Sequence, residues 1–109
     1  MMKQIIATNK APGAIGPYSQ GTSCDQLVFT SGQLGINPAT GKLAGQSVEE
    51  QTMQALKNLG EVLKEGGADY DTVLKTTVYL QNMSDFASVN SIYATYFKTD
   101  CPARSCFAV

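Results

Sequence analysis

The sequence contains no histidine. That removes Ser–His and Cys–His nucleophile pairs together with the most common metal ligand. Any chemistry must therefore rest on Arg, Cys, Tyr, carboxylates, hydroxyls or backbone groups. Cysteine is scarce as well. Cys24, Cys101 and Cys106 are odd in number and form no C-x-x-C pair, which argues against a zinc site and for a reducing, cytoplasmic setting. Charge is sparse and balanced, with 16% charged residues and a net charge of −1. No basic stripe is present to neutralise a phosphate backbone, so nucleic acid is not an expected partner. No apolar run is long enough to cross a bilayer, and Met1-Met2-Lys3 opens no signal-type apolar region, so no membrane association is expected. Repeats, linkers and low-complexity tracts are missing too.

What remains is an ordinary globular composition, 43% hydrophobic over 109 residues. It suits one domain, 1–109, with a modest core. Lys3 to Thr8 reads as a short strand, and Asn9 to Pro17, with two prolines and two glycines, as an extended loop. Tyr18-Ser19-Gln20-Gly21 leads into a second strand, Cys24-Asp25-Gln26 turns the chain, and Leu27 to Ser31 is a third. Gly32 and Gly35 flank Gln33-Leu34 and suggest a bulge or a close backbone approach. Asn37 to Lys42 is a turn.

Ser47 with Glu50 three residues later is a capping box. It opens a helix whose apolar face is Val48, Ala55, Leu56, Leu59, Val62 and Leu63, ended by Gly66-Gly67. Val73 to Leu80 is a strand with Leu74, Val78 and Leu80 on one face. A second helix, capped by Ser84 or Asp85, places Phe86, Val89, Tyr93 and Phe97 in one stripe. Asn90 falls within that stripe and needs partners; it either ties down a neighbouring loop or contacts a ligand. Pro102 then opens a last strand with Arg104, Cys106 and Ala108 on one face and Ser105, Phe107 and Val109 on the other. The Phe/Val face reads as core. Arg104, with a planar fork that suits carboxylates, is paired, surface-exposed or waiting for an anion, and sequence alone favours the first two. The order of elements gives an α+β layer with two helices on one sheet face. The uncovered face, rich in Val, Leu and Phe, should meet another subunit.

Four motifs carry a resemblance: Ala11-Pro12-Gly13-Ala14-Ile15-Gly16-Pro17-Tyr18-Ser19-Gln20, Phe29-Thr30-Ser31-Gly32-Gln33, Asp85-Phe86-Ala87-x-Val89-Asn90-x-x-Tyr93 and Pro102-Ala103-Arg104-Ser105. Together they resemble the Rid (YjgF) family, its RidA subgroup of reactive-intermediate deaminases in particular. The resemblance implies a chorismate-mutase-like α+β fold, a homotrimer with clefts between subunits, and cofactor-free hydrolysis of 2-enamine/2-imine acids such as 2-aminoacrylate/2-iminopropionate. By motif, Arg104 resembles the family's carboxylate clamp and Cys106 its cleft cysteine, although Cys106 also suits a small buried hydrophobe. Tyr18 resembles an aromatic cleft wall, where a loop tyrosine otherwise serves packing. Ser31 and Gly32 resemble a substrate-contacting strand end, or form a plain strand terminus, and Asn90 resembles a supporting helix asparagine. The family pattern continues past the arginine strand to a further strand carrying a water-positioning glutamate. This sequence ends at Val109, so that strand and glutamate are expected to lack a counterpart. Glu61 and Glu65, on the first helix, are expected to face away from the cleft and not to replace it.

Two other functions compete with the deaminase: a module that binds small carboxylate metabolites without chemistry, and a ribonuclease or translation inhibitor. The absent histidine and the net charge of −1 count against the last.

Overall fold

Local signals decide where most elements begin and end in the computed structural model, which describes residues 2–109. Strands β1 (Gln4–Ile6), β2 (Gly21–Cys24) and β3 (Leu27–Thr30) form an antiparallel sheet in that order. Asp25 turns the chain between β2 and β3 at φ 54°, a left-handed conformation that its short polar side chain tolerates. The Asn37–Lys42 turn is the tip of a small hairpin, β4 (Ile36–Asn37) with β5 (Lys42–Leu43), two strands too short to register in the sequence pattern. Helix α1 (Val48–Glu65) starts with the expected capping box: the Glu50 N–H donates to Ser47 Oγ at 3.1 Å. It ends where Gly67 takes a φ of 82°, beyond the reach of most side chains.

Strand β6 (Lys75–Leu80) pairs in parallel with β7 (Ala103–Ala108), and α2 (Phe86–Tyr96) connects them. Parallel neighbours require such a crossover. The β6 strand is shorter than the Val73–Leu80 expectation. Leu74 lies outside it and is exposed, and Thr76 takes the inward place beside Val78 and Leu80. Asp85 is at the N-cap of α2 but makes no side-chain cap. A 3-10 turn at Met83–Asp85 feeds the helix directly, so neither Ser84 nor Asp85 caps it by hydrogen bond.

Both helices cover the same side. On it, Ile6, Ala11 and Val62 cluster with Val28, and Leu56, Tyr93 and Phe97 cluster with Leu59, Tyr70, Val73 and Val78. The other side stays open: Ile5 and Phe29 align across β1–β2–β3, Tyr79 pairs with Phe107 across β6–β7, and all four are exposed. This corrects the expected core face of β7. The Thr76, Val78 and Leu80 side of the sheet meets the helices, and register places Arg104, Cys106 and Ala108 with it. Phe107 and Val109 are on the uncovered side, with Val109 78% exposed.

Two fully or nearly buried amides brace the loops. Asn58 on α1, with no exposed surface, donates through Nδ2 to the carbonyls of Leu34 (3.0 Å) and Ile36 (2.8 Å) and accepts from Gln54 Nε2 (2.8 Å). Gln20 accepts from the Thr8 N–H at 2.6 Å and donates to the carbonyls of Thr8, Ala11 and Pro12. Gly35 lies where α1 passes closest, and a Cβ there would stand 2.6 Å from Gln51 Cα. Among the described residues no helix is long and apolar enough to cross a membrane.

Two outcomes are expected. Asn58→Leu leaves two part-buried carbonyls without their donor, at a cost of about 1–3 kcal/mol, read as a lower thermal midpoint. Tyr70 donates to the Leu56 carbonyl and packs on Tyr96 and Phe97. Burial, with Tyr96 and Glu61 adding, pushes its phenol from 10.0 to about 12. The folded state therefore holds this proton more tightly than the unfolded chain. The contribution is intact below pH 10 and is lost as pH rises toward 12. Tyr70→Phe should show a shallower alkaline loss of stability than the wild type in chemical denaturation over that range.

Candidate active site

Arg104 is the second residue of β7, and its register partner is Thr76 of β6. Its guanidinium reaches α2, where Nη1 donates to Asn90 Oδ1 at 2.8 Å. Its Cζ lies 4.7 Å from the Tyr93 ring centroid and 5.4 Å from that of Phe86. The Tyr93 hydroxyl in turn shares a 2.7 Å hydrogen bond with Thr76 Oγ1. Among the described residues the one ion pair is Lys64–Glu61, so Arg104 has no carboxylate partner. The ion-pair reading of this residue is thereby set aside. Asn90 is exposed and holds the guanidinium, which also replaces the idea that it ties down a loop. Cys106, half-buried, follows on the same strand face opposite Val78.

Tyr18, Ser31 and Gly32 belong to a second group. Gln20 locks the Thr8–Pro12 loop against the start of β2, and the chain reaches Tyr18 from there with a tight turn closed by Tyr18 N–H to the Gly16 carbonyl at 2.8 Å. The Tyr18 hydroxyl accepts from the Ile15 N–H at 3.4 Å. Ser31 Oγ donates to the Ser19 carbonyl at 2.6 Å, and the Ser31 N–H to that of Gln20 at 2.9 Å. Gly32 follows, and a Cβ added to it would meet nothing within 4 Å. Tyr18 lines an open groove of about 580 Å³ with Ile5, Thr8, Gly13 and Glu65. Glu65, the last residue of α1, is part of that groove's lining.

The structure brings Arg104, Asn90 and Cys106 to one end of the crossover, and Tyr18, Ser31 and Gly32 to the loops around β2 and β3. No hydrogen bond or aromatic contact among the described residues joins the two groups. Sequence reasoning passed over Phe86 and Tyr93 as contacts of Arg104 because their helical spacing reads as core packing. Their position in one stripe with Asn90 was the available signal. Gln20 and Asn58 carried no signal beyond being polar residues next to apolar ones.

Comparison with known proteins gives the family of the chain. The family model for Endoribonuclease L-PSP matches residues 8–109. Reactive Intermediate Deaminase A, chloroplastic, of Arabidopsis thaliana is 54% identical over 98% of this chain and 57% of its own length. The 2-iminobutanoate/2-iminopropanoate deaminase of Mus musculus is 50% identical over 100% of this chain and 81% of its own. The chain thus spans little more than half of the plant relative and about four-fifths of the mouse one. Among solved structures, E. coli TdcF with bound serine superposes with a TM-score of 0.93 at 38% identity, covering 97% of this chain and 85% of that one. With its fold, its motifs and nearly its whole length matched, the chain belongs to the Endoribonuclease L-PSP family, the Rid (YjgF) family of the reactive-intermediate deaminases.

Proposed function

We propose that the chain is a hydrolytic deaminase of 2-imino and 2-enamino acids, converting 2-aminoacrylate/2-iminopropionate to a 2-oxo acid and ammonia. The observation that carries this reading is the Arg104 guanidinium, held on one side by Asn90 and met by no carboxylate among the described residues. Relatives named 2-iminobutanoate/2-iminopropanoate deaminase support the substrate class.

The chemistry asks little of the protein. The enamine takes a proton on its methylene carbon to become the imine. Water adds to the imine carbon while the nitrogen gains a proton, and the carbinolamine then expels ammonia as the carbonyl forms. Arg104 binds the carboxylate as a fork and stabilises negative charge beside the reacting carbon. Cys106 lies one strand repeat further along the same face and lines the cleft there. Tyr18 supplies an aromatic wall, and Ser31 and Gly32 an open backbone edge, with no Cβ at Gly32 to obstruct a ligand. No cofactor or metal is assigned to the reaction, and the partners are the small substrate and further copies of the chain, without nucleic acid. Three free thiols fit a reducing cytoplasm.

A homotrimer completes this site. Among the described residues no hydrogen bond or ring contact joins the Arg104 group to the Tyr18 group, and the uncovered sheet face exposes Phe29 at 63% and Tyr79 at 62%. Burying such side chains contributes about 1.5–3 kcal/mol each. In that assembly each cleft uses Arg104 of one chain, with Tyr18 or Ser31 lining the pocket from a neighbour or from the same chain.

A coupled assay tests turnover: threonine or serine dehydratase generates the imine, and faster appearance of the 2-oxo acid on adding the chain is the expected result. A module that only binds carboxylates would leave that rate unchanged. Arg104→Ala should lower kcat/KM by roughly 30-fold or more, the equivalent of losing a charge-assisted pair. Arg104→Lys should recover little, since a point charge does not reproduce the fork. Sedimentation at micromolar concentration should give a trimer; a stable monomer would remove the shared cleft.

A further inference from the structure

The α2 stripe Phe86, Asn90 and Tyr93 has spacings of four and three residues, which puts all three on one helix face. Every member touches the same guanidinium: Phe86 and Tyr93 through their rings at 5.4 and 4.7 Å, and Asn90 through a 2.8 Å hydrogen bond. We propose that this stripe is a neutral cradle that sets the direction of Arg104, with Tyr93 as its principal positioning residue. For its ligand the proposal rests on the deaminase reading above.

The chemistry of the cradle distinguishes it from packing. A cation can be steadied by a carboxylate or by π faces and amides. A carboxylate would neutralise the guanidinium and compete with an incoming anion for the same N–H groups. Two rings and an amide oxygen fix the side chain while leaving its full charge in place. Only one of the five guanidinium donors is bonded within the described chain, which leaves an edge open for bidentate binding. Tyr93 is itself fixed. Its hydroxyl is bonded to Thr76 Oγ1 at 2.7 Å, and Thr76 is the residue that pairs with Arg104 across β6 and β7. The ring is thus tied to the same rung of the sheet as the arginine it supports.

The probe is pyruvate, the 2-oxo acid that 2-iminopropionate gives on hydrolysis, titrated calorimetrically onto the whole chain, with steady-state turnover of enzymatically generated 2-iminopropionate alongside. Tyr93→Leu should raise the pyruvate Kd and the KM together by about tenfold, with kcat nearly unchanged, as expected from losing a ring face under a guanidinium. Tyr93→Phe, which keeps the face, should restore most of the affinity. Asn90→Asp, nearly isosteric, should weaken pyruvate far more than Asn90→Ala, because the new carboxylate occupies Arg104. Phe86→Leu, at the half-buried start of the helix, gives a smaller rise in Kd and serves if Tyr93→Leu does not fold. A folded Tyr93→Leu or Phe86→Leu with wild-type Kd overturns the cradle, as does a fall in kcat at constant Kd or a wild type that binds no pyruvate. A wild type that binds pyruvate without turning over the imine removes the deaminase reading and leaves the cradle standing. Turnover that is indifferent to these variants does the reverse.

Discussion

Two helices can cover only one face of the sheets, and most of this structure follows from that limit. The side of β1–β3 that carries Ile6 and Val28, and the side of β6 that carries Val78, meet α1 and α2. The opposite side keeps Ile5, Phe29, Tyr79 and Phe107 in the open. Because β7 follows β6 in parallel register, Arg104 falls on the helix side, next to Thr76. A one-residue slip would send it to the open face and away from Asn90 and Tyr93. The site therefore depends on register as much as on residue identity.

This limit also explains what the sequence could and could not disclose. Helix α1 was legible to within its caps, because Ser47, Glu50 and the Gly66-Gly67 pair act locally. The order of the longer strands and helices was legible for the same reason, whereas the two-residue strands β4 and β5 were not. The buried side of β7 was not. Both of its faces carry small or apolar residues, as is usual in sheets that are to be covered on both sides, so alternation alone could not say that Phe107 lies outward. Leu74 is a similar case: its apolar character suits a strand, but β6 begins one residue later. Of the site, Arg104, Cys106 and Asn90 were found on one strand and one helix. That Asn90 binds Arg104 is a contact between segments, which periodicity within either segment does not encode.

The buried amides show how loops that lack secondary structure of their own are nonetheless fixed. Gln20 uses both ends of its side chain on the Thr8–Pro12 stretch, and Asn58 uses its Nδ2 on the residues that follow the Ser31-Gly32 strand end while its Oδ1 accepts from Gln54. A buried amide with all its partners present is stabilising and directional, whereas one missing a partner is costly. Each amide thus selects one loop path. The loop that leads to Tyr18 follows from the Gln20 brace, whereas Ser31 is held where the β2–β3 pairing runs on, by its bonds to the Ser19 and Gln20 carbonyls.

The parallel pairing of β6 with β7 has a consequence for the order in which the chain becomes competent. The β2–β3 hairpin joins residues close in sequence, and α1 can start from its own cap. The Thr76–Arg104 rung instead closes across the whole of α2. Loop-closure entropy opposes such distant contacts until the intervening helix is in place. The guanidinium therefore meets Tyr93 and Asn90 only once the crossover has docked. A carboxylate ligand that needs that arrangement binds the finished fold and not its precursors, and so draws the last step of folding toward completion by mass action.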